Sequence, residues 1–555
     1  MKEKSVLVAF DNIDLKKFSQ YEEIIAGDKL KSYLDPGSIY EATELLEELP
    51  KLNLLDGTSI TQALMYKDFE LWWIHNNNIF RYFCLPFTQN RRLLEYLKSF
   101  ESVNLVNPHH ENLFRAYLEA YGVKVNVLKD KKHFHISLGI LLQIFITTVS
   151  LPILIVRRFP ILVYTGDKFE KDKDYDFRMK FIYEELRKRK LLFLEFIRGI
   201  ESWKIVVNHA WKRFRPAVYS EGVVSLARLL GSIGGRRTYL ASVNTPEYRF
   251  KLAIATQYIQ TNEDVWAVRI MKTILSLIGT KAAFIPAASE RSWHTLIACK
   301  LNNILTVGIM HGVQSRYYNT YDFLTGFDGN KHLGVDKMGV WSEWWKNYYL
   351  ENSDLYSLEN IFVSGPMRPL VKESNINNPQ DFSGDSIKVL FVSEEMAVPE
   401  EVLPYLYELI KHKDIKVILK FRPYRDGFEN WLKENKPEVL TLPGLTISRE
   451  GMQEAIKNAD ITVGCQSTGV LEALLQFKTL IYFKTNKWGD YYNLKNYDKK
   501  HTFFVDSPEE LVELIKKAKP IPLDILKDLQ ERFFGDPYKN GSKWVVDEIE
   551  KVLDK

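Results

Sequence analysis

Residues 459–483 hold the pattern that most limits the fold. Ala459-Asp460-Ile461-Thr462-Val463-Gly464-Cys465-Gln466-Ser467-Thr468-Gly469-Val470-Leu471-Glu472-Ala473-Leu474 reads as a short buried strand, a tight turn of small polar residues and a helix opening at Ser467. Ser-Thr-Gly ahead of an apolar run is an N-terminal helix signal, and Glu472 stands early in the helix, where the dipole favours an acid. The apolar strand Thr479 to Phe483 completes a strand–helix–strand unit, the building block of a parallel sheet.

Two further strands precede it. Ile387-Lys388-Val389-Leu390-Phe391-Val392 ends in Ser393-Glu394-Glu395, and Ile415 to Leu419 ends in Lys420-Phe421-Arg422-Pro423-Tyr424-Arg425. In a doubly wound sheet the three exits converge on one crevice, the edge at which such sheets bind ligands. They bring together Ser393 and Glu394, Lys420 and Arg422, and Ser467, Thr468 and Glu472. Cations beside a helix N-terminus suit a phosphate, so a nucleotide or diphosphate site is preferred to a set of solvated loop charges.

From about Gly308 to Lys517 the chain resembles the C-terminal nucleotide-binding domain of GT-B glycosyltransferases. The similarity is greatest to bacterial surface-polysaccharide enzymes, with relatives among sialyl- and Kdo-transferases, teichoic-acid glycerophosphotransferases and non-hydrolysing UDP-sugar epimerases. Many of these carry Lys-x-His-Pro after the second strand, where this chain has Lys420-Phe421-Arg422-Pro423. Arg in the His position keeps a permanent charge and a bidentate grip on phosphate but offers no titrating group. Ser467, Thr468 and Gly469 match the family's second motif, and Glu472 its acidic residue, which the resemblance places near the nucleotide ribose.

The resemblance implies an α/β fold of two Rossmann-like domains around a central cleft. Residues 1–370 would bind the acceptor and residues 371–555 the nucleotide sugar, linked to UDP, CMP or GDP. The expected reaction moves that sugar to a glycan or lipid-linked acceptor in surface-polysaccharide synthesis. Three alternatives stay open: a non-hydrolysing sugar-nucleotide epimerase, a glycerophosphotransferase of the same fold, and a non-catalytic carbohydrate-binding subunit.

Composition agrees with such an enzyme. At 555 residues, 46% hydrophobic and 26% charged, the chain has the mass for two large domains, and a net charge of +4 argues against nucleic acid as partner. Cys84, Cys299 and Cys465 are too far apart for a disulfide framework or a metal site. The first residues lead straight into the strand Ser5 to Phe10 without a secretory signal, so the expected location is the cytoplasm.

One segment departs from the soluble pattern. Ile136 to Val156 carries no charge and is flanked by Lys131, Lys132, Arg157 and Arg158. Its length would cross a bilayer, but strands on both sides, Val123 to Leu128 and Ile161 to Tyr164, weigh against a span, which would put them on opposite sides of a membrane and destroy the sheet they are expected to form. An interfacial helix at the inner face of the cell membrane is the preferred reading, with a helix buried against the sheet as the alternative.

Other expected strands are Ser102 to Val106, Leu191 to Phe196, Ala217 to Tyr219, Ala282 to Ile285, Leu305 to Ile309 and Ile361 to Val363, with long charged helices such as Phe177 to Lys190 between them. Gly365-Pro366-Met367-Arg368-Pro369 reads as the interdomain hinge. A Glu with Trp shortly after it, Glu290 and Trp293, and the turn Met310-His311-Gly312 resemble a surface-carbohydrate transferase pattern. Inverting transfer needs a base for the acceptor hydroxyl. Glu290 is the first candidate, with His311 orienting it or facing the leaving phosphate; Glu221, in Tyr219-Ser220-Glu221-Gly222, is the rival and Asp11 the third. Asp172-Lys173-Asp174 and Asp174-Tyr175-Asp176 have the spacing of a metal-binding pair but lie in a charge run, so metal-independent chemistry without a cofactor is expected.

Overall fold

The computed structural model describes residues 5–11, 18, 21, 23–128, 138–165, 179–198, 207, 217–286, 290–310, 312, 315–317, 323–327, 333–367, 370, 386–394, 398–422 and 426–553. Three parallel sheets organise them. The first contains β1 (Ser5–Ala9), β2 (Glu23–Ile25), β3 (Ser102–Val106) and β4 (Lys124–Leu128) in the order β2-β1-β3-β4. The second contains β5 (Ile161–Thr165), β6 (Phe193–Ile197), β7 (Ala217–Tyr219), β8 (Ala282–Phe284), β9 (Leu305–Ile309), β10 (Lys337–Val340) and β11 (Ile361–Val363), in the order β7-β6-β5-β8-β9-β10-β11. The third contains β12 (Ile387–Val392), β13 (Ile415–Lys420), β14 (Leu445–Ser448), β15 (Ile461–Gly464), β16 (Thr479–Phe483) and β17 (Phe504–Val505), in the order β14-β13-β12-β15-β16-β17.

Counted from their own first strands, the second and third sheets both run 3-2-1-4-5-6, the second adding a seventh strand at its edge. This is the Rossmann-like order, in which the chain reverses direction between strands one and four. These are the two doubly wound units expected from the sequence. The composition of the strands explains why: β15 and β16 are buried at every position, as strands covered by helices on both faces must be. The four-stranded sheet was not expected as a separate body. Strands read as members of one N-terminal domain divide between it and the second sheet, and the short strands β2, β14 and β17 have too few residues to show a pattern.

Helices used below are α1 (Ile39–Glu48), α2 (Leu138–Arg157), α3 (Lys180–Lys188), α4 (Ser220–Ser232), α5 (Glu263–Ile278), α6 (Glu290–Lys300), α7 (Gly427–Asn435), α8 (Thr468–Leu471) and α9 (Gly541–Leu553). The last of these returns to the second sheet: Val545, Val546 and Ile549 pack with Ile161, Val163, Phe284 and Ile309, and with Ile182 and Tyr183 from α3. The chain therefore crosses between the second and third sheets twice.

Helix α2 is the uncharged segment, and it connects β4 of the first sheet to β5 of the second. The strands on either side of it belong to different sheets, so the objection that a span would tear one sheet has no force. The helix is not core. It buries Gly139, Gln143, Thr147, Ser150 and Leu154, a stripe of mostly small and polar residues, while Leu138, Leu141, Phe145, Val149, Ile153 and Val156 face outward. Phe145 is 63% exposed and Val156 82%. The inward stripe fits the second sheet closely: Thr147 Oγ1 accepts a hydrogen bond from the Tyr219 amide at 3.0 Å. A Cβ on Gly222 of α4 would stand 3.2 Å from the Ile144 nitrogen, so that approach depends on glycine.

Candidate functional site

The register of the third sheet sets three exits level, pairing Val392 with Lys420 and Lys420 with Ser448. Ser393 follows directly on β12, and its hydroxyl donates to Asp426 Oδ1 at 2.9 Å. Asp426 caps α7 by accepting from the Glu429 amide at 2.9 Å, and its other oxygen accepts from the Arg422 amide at 2.9 Å. Ser393 is thus tied into a buried strut that joins the exits of β12 and β13. The groups this strut positions are Glu394 and Arg422, whose charges lie 3.6 Å apart. Arg422 is the more open of the two, with 41% of its side chain exposed against 11% for Glu394.

Lys420 is buried and donates to its neighbour's carbonyl, Phe421 O, at 3.2 Å. Burial holds its pKa below the usual lysine value, and the Arg449 charge adds to the effect. Across the switch point, Ser467 caps α8 by accepting from the Gly469 amide at 3.3 Å. That helix is one turn, continued by a single 3-10 turn over Glu472–Gln476. Its dipole is correspondingly short, and any anion there would depend on the cations and the turn's own amides rather than on a long helix. The turn is held from outside: Tyr492 donates to Gln466 O at 2.6 Å and Tyr482 to Ser467 O at 2.9 Å. Gly469 packs under Met452 and Val392, where a side chain would collide with Met452 Cε at 2.6 Å. Thr468 opens the helix beside it, and Glu472 accepts from Gln453 Nε2 at 2.8 Å.

Two participants escaped the sequence reading. Asp426 lies 33 residues from the serine it binds. Lys487, past the exit of β16, is desolvated enough to lower its pKa, while Cys465, Glu401 and Glu394 nearby act to raise it. The apolar strand that ends at Phe483 was the available signal for Lys487, since cations after such exits mark the edge of the sheet.

The second sheet presents its own carboxyl edge. Glu221 is the second residue of α4, directly after β7, and is 8% exposed with Arg228 Nη1 at 3.4 Å. Glu290 opens α6 after β8; its side chain lies outside the described residues, as do His311, Pro423, Arg425 and the Asp172, Asp174 and Asp176 run. Asp11 is exposed at the end of β1 in the first sheet, so it belongs to a different sheet edge from Glu221 and Glu290.

The two edges meet. The Ser315 amide, beyond β9, donates to the Tyr491 hydroxyl, beyond β16, at 3.2 Å. Trp345 Nε1 donates to Phe533 O at 2.8 Å and Ser342 Oγ to Arg532 O at 2.6 Å. Helix α1 closes a side, its Tyr40 hydroxyl donating to Trp488 O at 2.9 Å and its Ile39 amide to Lys487 O at 3.2 Å.

No protein-family model and no curated protein matches the chain. Among solved structures it is similar to a UDP-GlcNAc 2-epimerase from Methanocaldococcus jannaschii in complex with UDP-GlcNAc and UDP (14% identity, TM-score 0.41, 70% of this chain and 99% of that one). It is also similar to MurG from Acinetobacter baumannii (11% identity, TM-score 0.41, 70% and 99%). A third is the S. aureus MnaA-UDP co-structure (9% identity, TM-score 0.39, 71% and 96%).

Proposed function

We propose that this protein is a glycosyltransferase that moves a sugar from a nucleotide-activated donor to a glycan or lipid-linked acceptor in surface-polysaccharide synthesis. The observation that supports this reading most is the meeting of two doubly wound carboxyl edges, one carrying Lys420, Arg422, Glu394 and the pinned turn at 466–469. Arg422, Lys420 and the turn would hold the donor phosphates, with Ser467, Thr468 and Gly469 at the turn and Glu472 toward the ribose. Glu290 would take the proton of the acceptor hydroxyl, with inversion, and His311 would orient it; Glu221, on the same sheet edge, is the rival. Preorganised cations stabilise the charge that develops on the leaving phosphate, and the reading assigns no step to a metal or cofactor.

The outward apolar face of α2 supports work at the cytoplasmic face of a membrane, where a lipid-linked acceptor would be assembled. An epimerase acts on the free sugar nucleotide and has no use for such a face, which favours transfer. The test is a calorimetric screen of UDP, CMP, CDP and GDP. One nucleotide should bind, and Arg422→Ala should weaken it by about 1.5–3 kcal/mol, the loss of one charge-assisted contact. Absence of binding to all four would overturn the reading. Unchanged affinity in the variant would move the phosphate site elsewhere.

A further inference from the structure

Helix α4 carries a second apolar face, and it continues the outward face of α2. Gly222 faces α2, where its Cβ would stand 3.2 Å from the Ile144 nitrogen. Leu226, Leu229 and Ile233 follow Gly222 at helical spacing, which puts all four positions on one side of α4. The three apolar side chains are exposed, Leu229 by 63% and Ile233 by 76%. They begin where α4 touches α2 and extend its outward surface. The opposite side of α4 is fixed to α5: a Cβ on Gly231 would stand 2.5 Å from the Glu263 nitrogen, so the two helices meet there backbone to backbone. Held on both sides, α4 cannot roll its apolar face inward.

Cations stand at both ends of this surface. Beyond the last turn of α2, Arg158 Cδ would lie 3.8 Å from a Cβ on Gly279, the residue that ends α5, and Arg157 is its neighbour. Beyond the last turn of α4, Arg237 Nη2 donates to Asn262 Oδ1 at 2.9 Å, just before α5 begins, and Arg236 is its neighbour. The 16 residues of α5 therefore separate the two arginine pairs by about 24 Å. All four arginines are exposed, and none forms an ion pair among the described residues.

The charge pattern selects the occupant. Residues 138–158 contain no acid, and residues 220–245 contain only Glu221. The carboxylates nearest the surface are engaged: Glu221 and Glu263 both face Arg228, at 3.4 and 3.8 Å. Asp264, buried in the first turn of α5, accepts from His75 Nε2 at 2.8 Å and from His294 Nε2 at 2.7 Å. A second copy of the chain would bring the same four guanidinium groups to a face with no free carboxylate to meet them. An apolar layer bordered by anionic headgroups matches both parts of the surface. The inward stripe of α2 is bound to protein through Thr147 and the Gly222 contact, so the helix lies on such a layer rather than crossing it.

We propose that α4 inserts beside α2, so that the protein lies flat on an anionic bilayer, with the apolar side chains of both helices among the acyl chains and an arginine pair among the headgroups at each end. The proposal rests on the membrane reading of α2 and not on the transferase reading. The test uses vesicles of phosphatidylglycerol and of phosphatidylcholine. The three native thiols are buried, so a nitrobenzoxadiazole label can be placed on Leu229→Cys, and its emission should shift to the blue on phosphatidylglycerol. Leu229→Ser with Ile233→Ser should weaken partitioning about a hundredfold. Arg236→Gln with Arg237→Gln should weaken it about thirtyfold on phosphatidylglycerol and leave it unchanged on phosphatidylcholine. All four positions are exposed, so the thermal midpoint should hold in both variants. A label on Leu229→Cys that stays in water, while one on Phe145→Cys enters the bilayer, would overturn the proposal and leave the α2 reading standing. Both labels staying in water would end both. A wild-type dimer in sedimentation that the Leu229 and Ile233 changes dissolve would give the face to a second copy and overturn the proposal as well.

Discussion

Glu429 shows how the edge of the third sheet is kept rigid without burying a bare charge. Arg449 reaches it with two nitrogens, at 3.0 and 2.5 Å, and Lys433 adds a third contact at 2.7 Å. The Arg449 hydrogen bonds lead in pulling its pKa down to about 2. A carboxylate depressed in the folded state contributes stability that is complete above its unfolded value and is lost as pH falls through the folded one. The window for Glu429 is therefore from about 4.5 down to about 2. Because Arg449 and Lys433 are both more than half exposed and screened by solvent, Glu429→Gln should remove on the order of 1 kcal/mol at neutral pH and flatten the acid limb of a urea-stability profile; an unchanged limb would show that the pair does not hold in solution. At this scale the sequence was partly readable. Ser393, Lys420 and Arg422 stand where apolar runs stop, so their edge position follows from the pattern. Asp426 and Asp264 were not readable, because each joins groups brought together only by the topology, His75 and Asp264 being 189 residues apart.

Helix α2 inverts the usual arrangement of an amphipathic helix, with its polar stripe inward and its apolar surface outward. Six large apolar side chains left in water would forgo roughly 10 kcal/mol of burial, so the face calls for a cover. Insertion into a bilayer would supply one, with Arg157 and Arg158 at the helix end adding about 1 kcal/mol each on an anionic surface. Leu141→Ser, Phe145→Ser and Val149→Ser combined should release the protein from phosphatidylglycerol vesicles in a flotation assay. Because these positions are exposed, the folded state should lose no more than about 0.5 kcal/mol per site. Loss of fold would return the helix to the core, and wild type that ignores the vesicles would end the membrane assignment. The uncharged length of the segment was plain in the sequence. Its sidedness was hidden, because small and polar residues at 139, 143, 147 and 150 scarcely lower the hydropathy of a run so apolar elsewhere.

The whole molecule is joined at both ends of its third sheet. The chain enters that sheet after β11, and α9 leads back to the second, anchored where the Gly541 amide donates to Pro366 O at 2.7 Å. The return passes Gly535, whose φ of +58° lies in the left-handed region and whose Cβ would stand 2.5 Å from Trp341 O, so only glycine fits there. Val546→Ala with Ile549→Ala should cost about 2–5 kcal/mol per site and lower the urea midpoint, although both lie far along the chain from the sheet they cover. An unaltered midpoint would mean that α9 is not seated. The two doubly wound units were foreseeable from strand–helix–strand spacing; the separate first sheet, made within residues 5–128, and the return of α9 were not, since neither leaves a local pattern.

That return has a consequence for synthesis. Strand β11 is complete at residue 363, but the helix covering Ile161, Val163 and Ile309 ends only at Leu553. At ribosomal rates of about 5–20 residues per second, the middle of the nascent protein would wait roughly 10–40 s with part of its core uncovered. During that interval it is a natural client for a chaperone, and truncations near the C-terminus would prolong the exposure indefinitely.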